Sequence, residues 1–349
     1  MPSLAIQWND LQMENEHPNI AIQSAGFYRT WTAHQTALRT HPKALNGPGT
    51  EELMFARWAE RMSSGAFEEA WRINDAHERR WPSAHVLSNG CIHDAKVIVR
   101  SLHGLGDAVQ MLRYAPLLRE FAHTVAYQVP SSLVPLMPYF RDVDDFGSLI
   151  PSGGDEVNPT HVSLEIMELP YIFRTSFDQL PLQRGYLDMS SARAGRHDNA
   201  ACTHGRKRVG LVWAGGEWDP YRWVPFHSLR PLLEDSRVQW WNLQGGEAAA
   251  EADGTALRIA PKQRGGVLTL ARAIATMDLV ITIDTLAAHL AGAIGIPTWL
   301  MLKHNADWRW MVHRSDSPWY PSMKLFRQAR PGDWGSVIAA VEDNLQHAL

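Results

Sequence analysis

A carboxyl side chain that could carry chemistry stands directly after an apolar run. Asp107 follows the turn His103-Gly104-Leu105-Gly106, where two glycines permit close backbone approach to a ligand. A carboxylate at this place suits a general base that takes a proton from an acceptor hydroxyl, a role that contributes about 10²–10⁴-fold in rate. The structural alternative is that Asp107 is the N-cap of the helix that follows.

A second group of chemically useful residues lies in ITIDTLAAHLAGAIGIPTW, residues 281–299. Asp284 ends an apolar strand, and Thr285 opens a helix whose free N–H groups favour an anion such as a diphosphate. His289 lies one turn further along this helix, within reach of a phosphate or a sugar. The alternative for His289 is a hydrogen-bonded histidine of the core.

Two more strand ends carry polar residues. VWAGG is followed by Arg222, whose forked N–H groups suit a phosphate clamp, although an ordinary exposed arginine is the alternative. LQGG places Gln244 at another strand end, where a generic turn is equally plausible. The aromatic stretch 303–323, which contains Arg309 and Arg314, forms either a wall of a cleft or core packing under a long loop.

The elements that would position these residues alternate between strand and helix. Apolar strands are predicted at 96–102, 124–130 and 143–149, and a second series of strands begins at 208, with a helix predicted at the C-terminus. Such alternation predicts mostly parallel sheets covered on both faces, with ligands at the carboxyl ends of the strands. The predicted domains are a helical region (1–90), an amino-terminal α/β domain (91–205) and a carboxyl-terminal one (206–349).

Composition excludes several classes of protein. The 349 residues carry 33 Lys+Arg and 37 Asp+Glu, for a net charge of −4. This balance provides no excess of basic residues that would bind nucleic acid or a membrane surface. Two cysteines exclude a disulfide framework and suit a cytoplasmic location. The uncharged run 285–302 is interrupted by Gly292, Gly295 and Pro297, so a buried helix, turn and strand explain it better than a membrane span. No P-loop or complete dinucleotide fingerprint is present.

Several segments together resemble one known family. GLGDAVQMLRYAPLL, RVGLVWAGG, DLVITIDTLAAHLAGAIGIPTWLML and DWRWMVHRSDSPWYPSMKLF occur in this order. They resemble the heptosyltransferase-like glycosyltransferases of family 9, most closely the bacterial subgroup in which that domain follows tetratricopeptide repeats. Within the helical hairpin predicted at 51–82, Gly65, Phe67, Ala70 and Pro82 are spaced as in one such repeat. The alternative is a helical cap packed on the next domain.

The resemblance implies an α/β protein of the GT-B fold, with two facing Rossmann-like doubly wound domains and a short N-terminal helical region. It also implies an inverting hexosyl- or heptosyl-type glycosyltransferase that uses a nucleotide-diphosphate sugar, without a metal or other cofactor. Asp107 corresponds to the catalytic base of the family. The positions that correspond to donor binding are Gly106, Trp213, Arg222, Gln244, Asp284, Thr285 and His289.

The acceptor is open at this stage: a saccharide, a lipid-linked glycan or a protein fits equally. The loop before Arg222 is shorter than is usual in the family, and its acids Glu217 and Asp219 would repel a diphosphate if both faced it. Two alternative functions therefore stand beside the transferase. One is a binding or scaffolding protein that keeps the fold without turnover, and the other is a GT-B nucleotide-sugar epimerase.

Overall fold

Two parallel β-sheets form the framework of the chain, in a computed structural model that describes residues 50–80, 96–149, 161–181, 185–194, 206–217, 219–259 and 266–348. Residues 1–49 and most of the predicted linker 190–207 lie outside the described residues, so the domain boundaries at 90 and 205 stay predictions. We call the part with the first sheet the amino lobe and the part with the second the carboxyl lobe.

The amino lobe contains a four-stranded sheet with the order β3-β2-β1-β4. Its strands are β1 (Lys96–Arg100), β2 (Thr124–Val129), β3 (Asp145–Ser148) and β4 (His161–Glu165). Its helices are α3 (Leu105–Met111), α4 (Ala115–Phe121), α5 (Leu169–Ile172) and α6 (Ser190–Ala194). All three strand pairings are parallel, as the continuous apolar runs predict.

The carboxyl lobe contains a six-stranded sheet with the order β10-β9-β8-β5-β6-β7. Its strands are β5 (Lys207–Leu211), β6 (Val238–Asn242), β7 (Arg258–Ile259), β8 (Leu279–Ile283), β9 (Thr298–Leu302) and β10 (Met323–Arg327). Its helices are α7 (Arg230–Leu233), α8 (Gly266–Ala275), α9 (Leu286–Ile294) and α10 (Trp334–Ala348). In β9, Leu300 and Leu302 belong to one hydrophobic cluster and Met301 to the other, so both faces of this sheet are covered.

Both sheets change direction at one point in their strand order. In the amino lobe, β1 lies between β2 and β4, and in the carboxyl lobe β5 lies between β6 and β8. At such a switch point the loops from neighbouring strands leave in opposite directions, so a crevice opens at the carboxyl ends of those strands. Asp107 follows β1, and Asp284 follows β8. The fold therefore directs these two residues to the crevices of their respective sheets.

A helical hairpin, α1 (Thr50–Ser64) and α2 (Phe67–Arg80), packs against both lobes. On the amino lobe, the Trp71 indole donates a 2.8 Å hydrogen bond to the carbonyl of Thr175. On the carboxyl lobe, the rings of Trp58 and Trp308 meet edge to face with centroids 5.4 Å apart. The two helices fall in the region of the hairpin predicted at 51–82, and they pack on the α/β framework.

The two lobes meet through α3 and α9, which pack against each other. A Cβ atom on Gly106 would lie 2.5 Å from the His289 ring, so only glycine permits this approach. On another side of α9, a Cβ on Gly292 would lie 2.3 Å from the ring of Tyr320. Small residues in LAAHLAGAI thus allow α9 to pack closely against its neighbours.

Two details of the fold differ from the sequence interpretation. The predicted helix at 132–140 is a 3₁₀ helix, Val134–Tyr139, because Pro135 and Pro138 lack the N–H groups that an α-helix needs. β10 was not predicted, since its five residues follow an aromatic stretch that was assigned to a long loop. Among the described residues, no helix is long and apolar enough to cross a membrane.

We expect Gly292→Ala to lower the free energy of unfolding by about 1–3 kcal/mol, because overpacking against the buried Tyr320 ring outweighs the helix propensity of alanine. Gly147→Ala is the matched control, since a Cβ at Gly147 in β3 meets nothing within 4 Å. Urea unfolding of both variants checks this. A Gly292→Ala protein as stable as the wild type would show that Tyr320 moves aside without cost.

Candidate active site

A cleft of about 1440 Å³ opens where the strand-end turns of both lobes face each other. The amino lobe contributes the turn 102–107. The carboxyl lobe contributes the segments 214–217, 219–222, 284–287, 301–303 and 305–309, together with His289. Ala59 and Ser63 of α1 also line it. A pocket for one drug-sized molecule has a volume of about 300–1000 Å³. The cleft is therefore large enough for two substrates side by side.

Asp107 lies in this cleft and is held by two hydrogen bonds. Its Oδ2 accepts the backbone N–H of Gly104 at 3.0 Å, and its Oδ1 accepts Nη2 of Arg309 at 2.7 Å. The N-cap of α3 is Gly104, so Asp107 caps the helix from its third position and the N-cap alternative is wrong in that detail. The carboxylate is thus oriented by one donor from each lobe.

Arg309 is the cation at the centre of the cleft. Besides Asp107, its Nη1 contacts Oδ1 of Asp307 at 2.9 Å, and its Nε donates to Oε1 of Gln110 at 2.9 Å. Burial opposes the charge of Arg309, but the carboxylates of Asp307, Asp107 and Asp284 raise its pKa above the ordinary value. Arg309 is therefore a permanent positive charge that joins carboxylates of both lobes.

Two carboxyl groups near Arg309 bind protons more tightly than usual. Burial, together with the negative charge of Asp307, raises the pKa of Asp284 to about 6, although Arg309 opposes this. Burial also raises the pKa of Asp307. Asp284 consequently changes charge close to the physiological range.

Glu165 ends β4 beside the turn that carries Asp107. Its carboxylate accepts the backbone N–H groups of Met167 at 2.6 Å and Leu102 at 3.3 Å, and Nε2 of His103 lies 3.7 Å away. Only 2% of the Glu165 surface is exposed. Burial raises its pKa to about 8, and burial lowers the pKa of His103. Glu165 is therefore largely protonated at neutral pH.

The anion-binding features of the carboxyl lobe converge at the start of α9. Thr285 is the N-cap, with an extended backbone, and its hydroxyl makes no capping bond, so the first N–H groups of the helix stay available to a ligand. Nη1 of Arg222 donates to the carbonyl of Asp284 at 2.7 Å, and Nη2 lies 3.4 Å from the carbonyl of Gly216. Arg222 is only 7% exposed, so the exposed-arginine alternative is wrong.

His289 is both a residue of the cleft and a hydrogen-bonded histidine of the core, so both interpretations offered by the sequence apply. It lines the cleft and is also buried, with its Nδ1 2.9 Å from the Tyr320 hydroxyl and its Nε2 3.9 Å from Oδ1 of Asp284. Burial, with the charges of Arg309, Arg113 and Arg222, lowers its pKa well below the ordinary value. His289 is therefore neutral at physiological pH.

Two of the site residues predicted from the sequence, Gln244 and Trp213, have mainly structural contacts. Oε1 of Gln244 accepts the backbone N–H groups of Trp213 and Ala214, at 3.0 and 2.9 Å, so Gln244 fixes the turn after β5 while lining the cleft. The Trp213 side chain is 1% exposed, packs on Phe226 and is not among the residues that line the cleft. The structure therefore brings Gly106, Asp107, Arg222, Gln244, Asp284, Thr285 and His289 together, but not Trp213.

The sequence places Lys303, Asp307 and Arg309 only in a stretch that could form a wall of the cleft, and the structure shows that they line it. The sequence interpretation does not single out Glu165. Nζ of Lys303 pairs with Oδ2 of Asp219 at 2.5 Å, so the charge of that loop acid is compensated. Glu165 and Lys303 both stand at the carboxyl ends of parallel strands, the position that identified Asp284, and the same rule would have found them. Asp307 and Arg309 follow a turn instead of a strand end, so this rule does not predict that they belong to the site.

The described part of the chain contains no group of three or more His, Cys, Asp or Glu side chains arranged to hold a metal ion.

Comparison with known proteins shows which sequences and folds this chain resembles. No family model matches the chain. Protein FlbA of Caulobacter vibrioides is 24% identical over 379 aligned positions, which cover 88% of this chain and 59% of that protein, so the chain spans about three fifths of its relative's length.

Two solved structures are similar throughout their length. A glycosyl transferase of family 9 from Veillonella parvula has a TM-score of 0.50 and 14% identity, covering 74% of this chain and 96% of that one. The ADP-heptose LPS heptosyltransferase II of E. coli has a TM-score of 0.51 and 11% identity, covering 73% and 100%. The predicted GT-B fold, two facing Rossmann-like units, is confirmed.

The buried Glu165 predicts a pH dependence of stability. Its pKa is about 8 in the folded protein against 4.5 when unfolded, so the folded state binds the extra proton between these values and stability falls as the pH rises through this window. The full effect is at most about 5 kcal/mol. We expect Glu165→Gln to flatten the decline in unfolding free energy between pH 5 and pH 9.

Urea unfolding at several pH values measures this slope, and Glu251→Gln, at an exposed glutamate, is the control. The control should keep the wild-type slope. If the Glu165→Gln protein declines as steeply as the wild type, the decline does not come from Glu165.

Proposed function

We propose that the chain is an inverting glycosyltransferase of family 9, which moves a hexosyl- or heptosyl-type sugar from a nucleotide-diphosphate donor to an acceptor hydroxyl. The proposal includes a mechanism without a metal ion or other cofactor. One observation carries it: a carboxylate of the amino lobe and an anion-binding helix start of the carboxyl lobe face the same cleft.

The amino lobe supplies the base in this proposal. Both oxygens of Asp107 already accept one hydrogen bond each, which fixes the direction of their remaining lone pairs. An acceptor hydroxyl placed against Asp107 can donate to such a lone pair. Proton transfer to a positioned carboxylate of this kind contributes about 10²–10⁴-fold in rate.

The carboxyl lobe supplies the donor site. The free N–H groups at the start of α9 and the partial positive charge of that helix end favour a diphosphate. Arg222 and Lys303 line the same side of the cleft and add positive charge. Lys303 already pairs with Asp219, and this pairing reduces the repulsion expected from the short acidic loop.

The reaction is a direct displacement. The acceptor oxygen gives its proton to Asp107 and forms a bond to the anomeric carbon, while the bond from that carbon to the diphosphate breaks. The bonding electrons leave with the diphosphate, whose charge the helix N–H groups, Thr285 and Arg222 stabilise. Attack from the side opposite the leaving group inverts the anomeric centre.

The similar proteins support this proposal without identifying the substrates. Both solved relatives are described as glycosyltransferases, and one of them as acting with ADP-heptose. Their identities of 11–14% leave the sugar, the base and the acceptor of this chain to experiment.

A thermal-shift screen of nucleoside diphosphates and nucleotide-sugars tests the donor site. A ligand at 100 times its dissociation constant stabilises the protein by about 2.7 kcal/mol, which gives a clear shift. Donor incubated without acceptor separates the alternatives, because an epimerase changes the sugar on its own. If no member of a broad panel raises the melting temperature, the donor-site proposal is wrong.

We expect Asp107→Asn to lower kcat/KM by at least about 100-fold while the affinity for nucleotide stays within about twofold, because the amide cannot take the proton. Calorimetry measures the affinity, and a coupled assay of released nucleotide measures turnover. Loss of nucleotide affinity in parallel with activity would assign Asp107 to binding instead of proton transfer.

Arg222→Ala is expected to weaken nucleoside diphosphate binding about 10- to 100-fold, the equivalent of one or two charge-assisted hydrogen bonds, and nucleoside binding less than twofold. Arg314→Ala is the control, because this partly exposed arginine pairs with Asp316 and does not line the cleft. Calorimetric titration compares the ligands. Equal losses for diphosphate and nucleoside would refute the clamp.

A further inference from the structure

Met311 has a backbone conformation that residues with a side chain rarely adopt. Its φ is 50° and its ψ is 178°, and the residue is 3% exposed. A Cβ atom crowds the backbone in this region, so any residue other than glycine is strained there. Such strain persists only where neighbouring groups hold it, and it is found most often at functional sites. Met311 lies two residues after Arg309, the cation at the centre of the cleft.

The residues before the strained one form the 3₁₀ turn Trp308–Trp310, whose three side chains contact three different parts of the protein. The first tryptophan packs on Trp58 of α1, and the second has its ring centroid 5.5 Å from that of His289. Arg309, between them, crosses to Asp107 of the amino lobe. The direction of the Arg309 side chain therefore depends on the orientation of this turn.

A single arginine holds the two peptide groups on either side of Met311. Nη2 of Arg327 donates to the carbonyls of Trp310 and Met311, at 3.0 and 2.5 Å. The orientations of these two peptide planes define φ and ψ of Met311, so two carbonyls that meet at one nitrogen fix the strained conformation. The N–H of the second plane, that of Val312, donates to the carbonyl of Ser63 in α1 at 2.9 Å. Contacts with β10 and with the hairpin thus hold the strain in place.

We propose that Arg327 is a positioning residue for the active site: it keeps Met311 strained, and the strained residue directs Arg309 to Asp107. Arg327 ends β10 and is not among the residues that line the cleft, so its effect passes through Arg309. Without Arg327, the strain at Met311 favours rotation to a negative φ, which turns the attached peptide plane and the 3₁₀ turn. The inference rests on the proposed function for the role of Asp107, but not for the position of Arg309.

Hydrogen exchange at the Arg309 side chain tests this position without any ligand. Its Nε donates to Oε1 of Gln110 at 2.9 Å in a buried position, so this proton should exchange slowly with water. Nitrogen NMR of protein labelled in its arginines measures the rate, and Arg309→Lys identifies the signal. We expect Arg327→Met to raise the rate at least about 10-fold, because the charge-assisted bonds to both carbonyls are lost.

Arg330→Met is the matched control, since Arg330 is an exposed arginine of the loop after β10. It should leave the exchange rate of the Arg309 proton unchanged. If Arg327→Met does not fold, Arg327→Gln, whose amide can still donate to a carbonyl, takes its place and should raise the rate at least about threefold. A folded variant of Arg327 with the wild-type rate would overturn the inference.

Met311→Gly separates the holding of strain from ordinary packing. Glycine adopts the same φ and ψ without strain, so Arg309 should keep its place there even without Arg327. Adding Arg327→Met to the Met311→Gly protein should therefore raise the exchange rate less than about threefold, against about 10-fold in the wild type. Comparison within one background removes the effect of the missing Met311 side chain. Equal effects in both backgrounds would show that the two residues are not coupled, which contradicts the proposed role of the strain.

Turnover tests whether the position of Arg309 matters for the proposed base. Arg327→Met should lower kcat at least about 10-fold while the affinity for nucleoside diphosphate stays within about twofold, since a displacement of about 1 Å can cost about 100-fold in rate. Calorimetry with ADP, GDP, UDP and CDP measures the affinity, and released nucleotide measures turnover of the nucleotide-sugar that gives the largest thermal shift. Parallel losses of kcat and affinity would contradict the positioning role. A wild type without turnover, but with the exchange rates as expected, would reject the proposed function and not the positioning of Arg309.

Discussion

The ion pair between Arg309 and Asp107 is the interaction on which the arrangement of the cleft depends. Arg309 comes from the carboxyl lobe, yet its guanidinium also reaches Gln110 and Asp107 of the amino lobe. Arg309 is also held by Asp307 of its own lobe, with Nη1 2.9 Å from Oδ1, so its guanidinium is fixed where it meets Asp107. The position of the proposed base is therefore set by the lobe that would bind the donor.

Close packing between the lobes keeps this ion pair in place. Gly106 and Gly292 let α9 approach α3 on one side and Tyr320 on the other, and the hairpin α1–α2 contacts both lobes. Val312 of the carboxyl lobe also donates its backbone N–H to Ser63 of the hairpin at 2.9 Å. The hairpin thus joins the two units and adds to the cleft wall, and these functions need no stacked repeats.

Much of this arrangement could be predicted, because parallel sheets obey a simple rule. Buried apolar strands followed by polar residues placed Asp107, Asp284 and Gln244 at the edges where the two sheets face each other. Trp213 was also at a strand end, but alternation along the chain turned its side chain to the opposite, core-facing side. The pairing of Arg309 with Asp107 joins residues 202 positions apart, and no local pattern encodes such a contact.

Hydrogen–deuterium exchange of the whole chain, with and without millimolar ADP, GDP, UDP or CDP, tests the central claim that a nucleoside diphosphate sits at the start of α9. At least one ligand should slow exchange of the backbone amides in 285–287 and in the turn 215–217, since these N–H groups would bind the phosphates. No slowing with any of them, or protection confined to the amino lobe, would contradict this account.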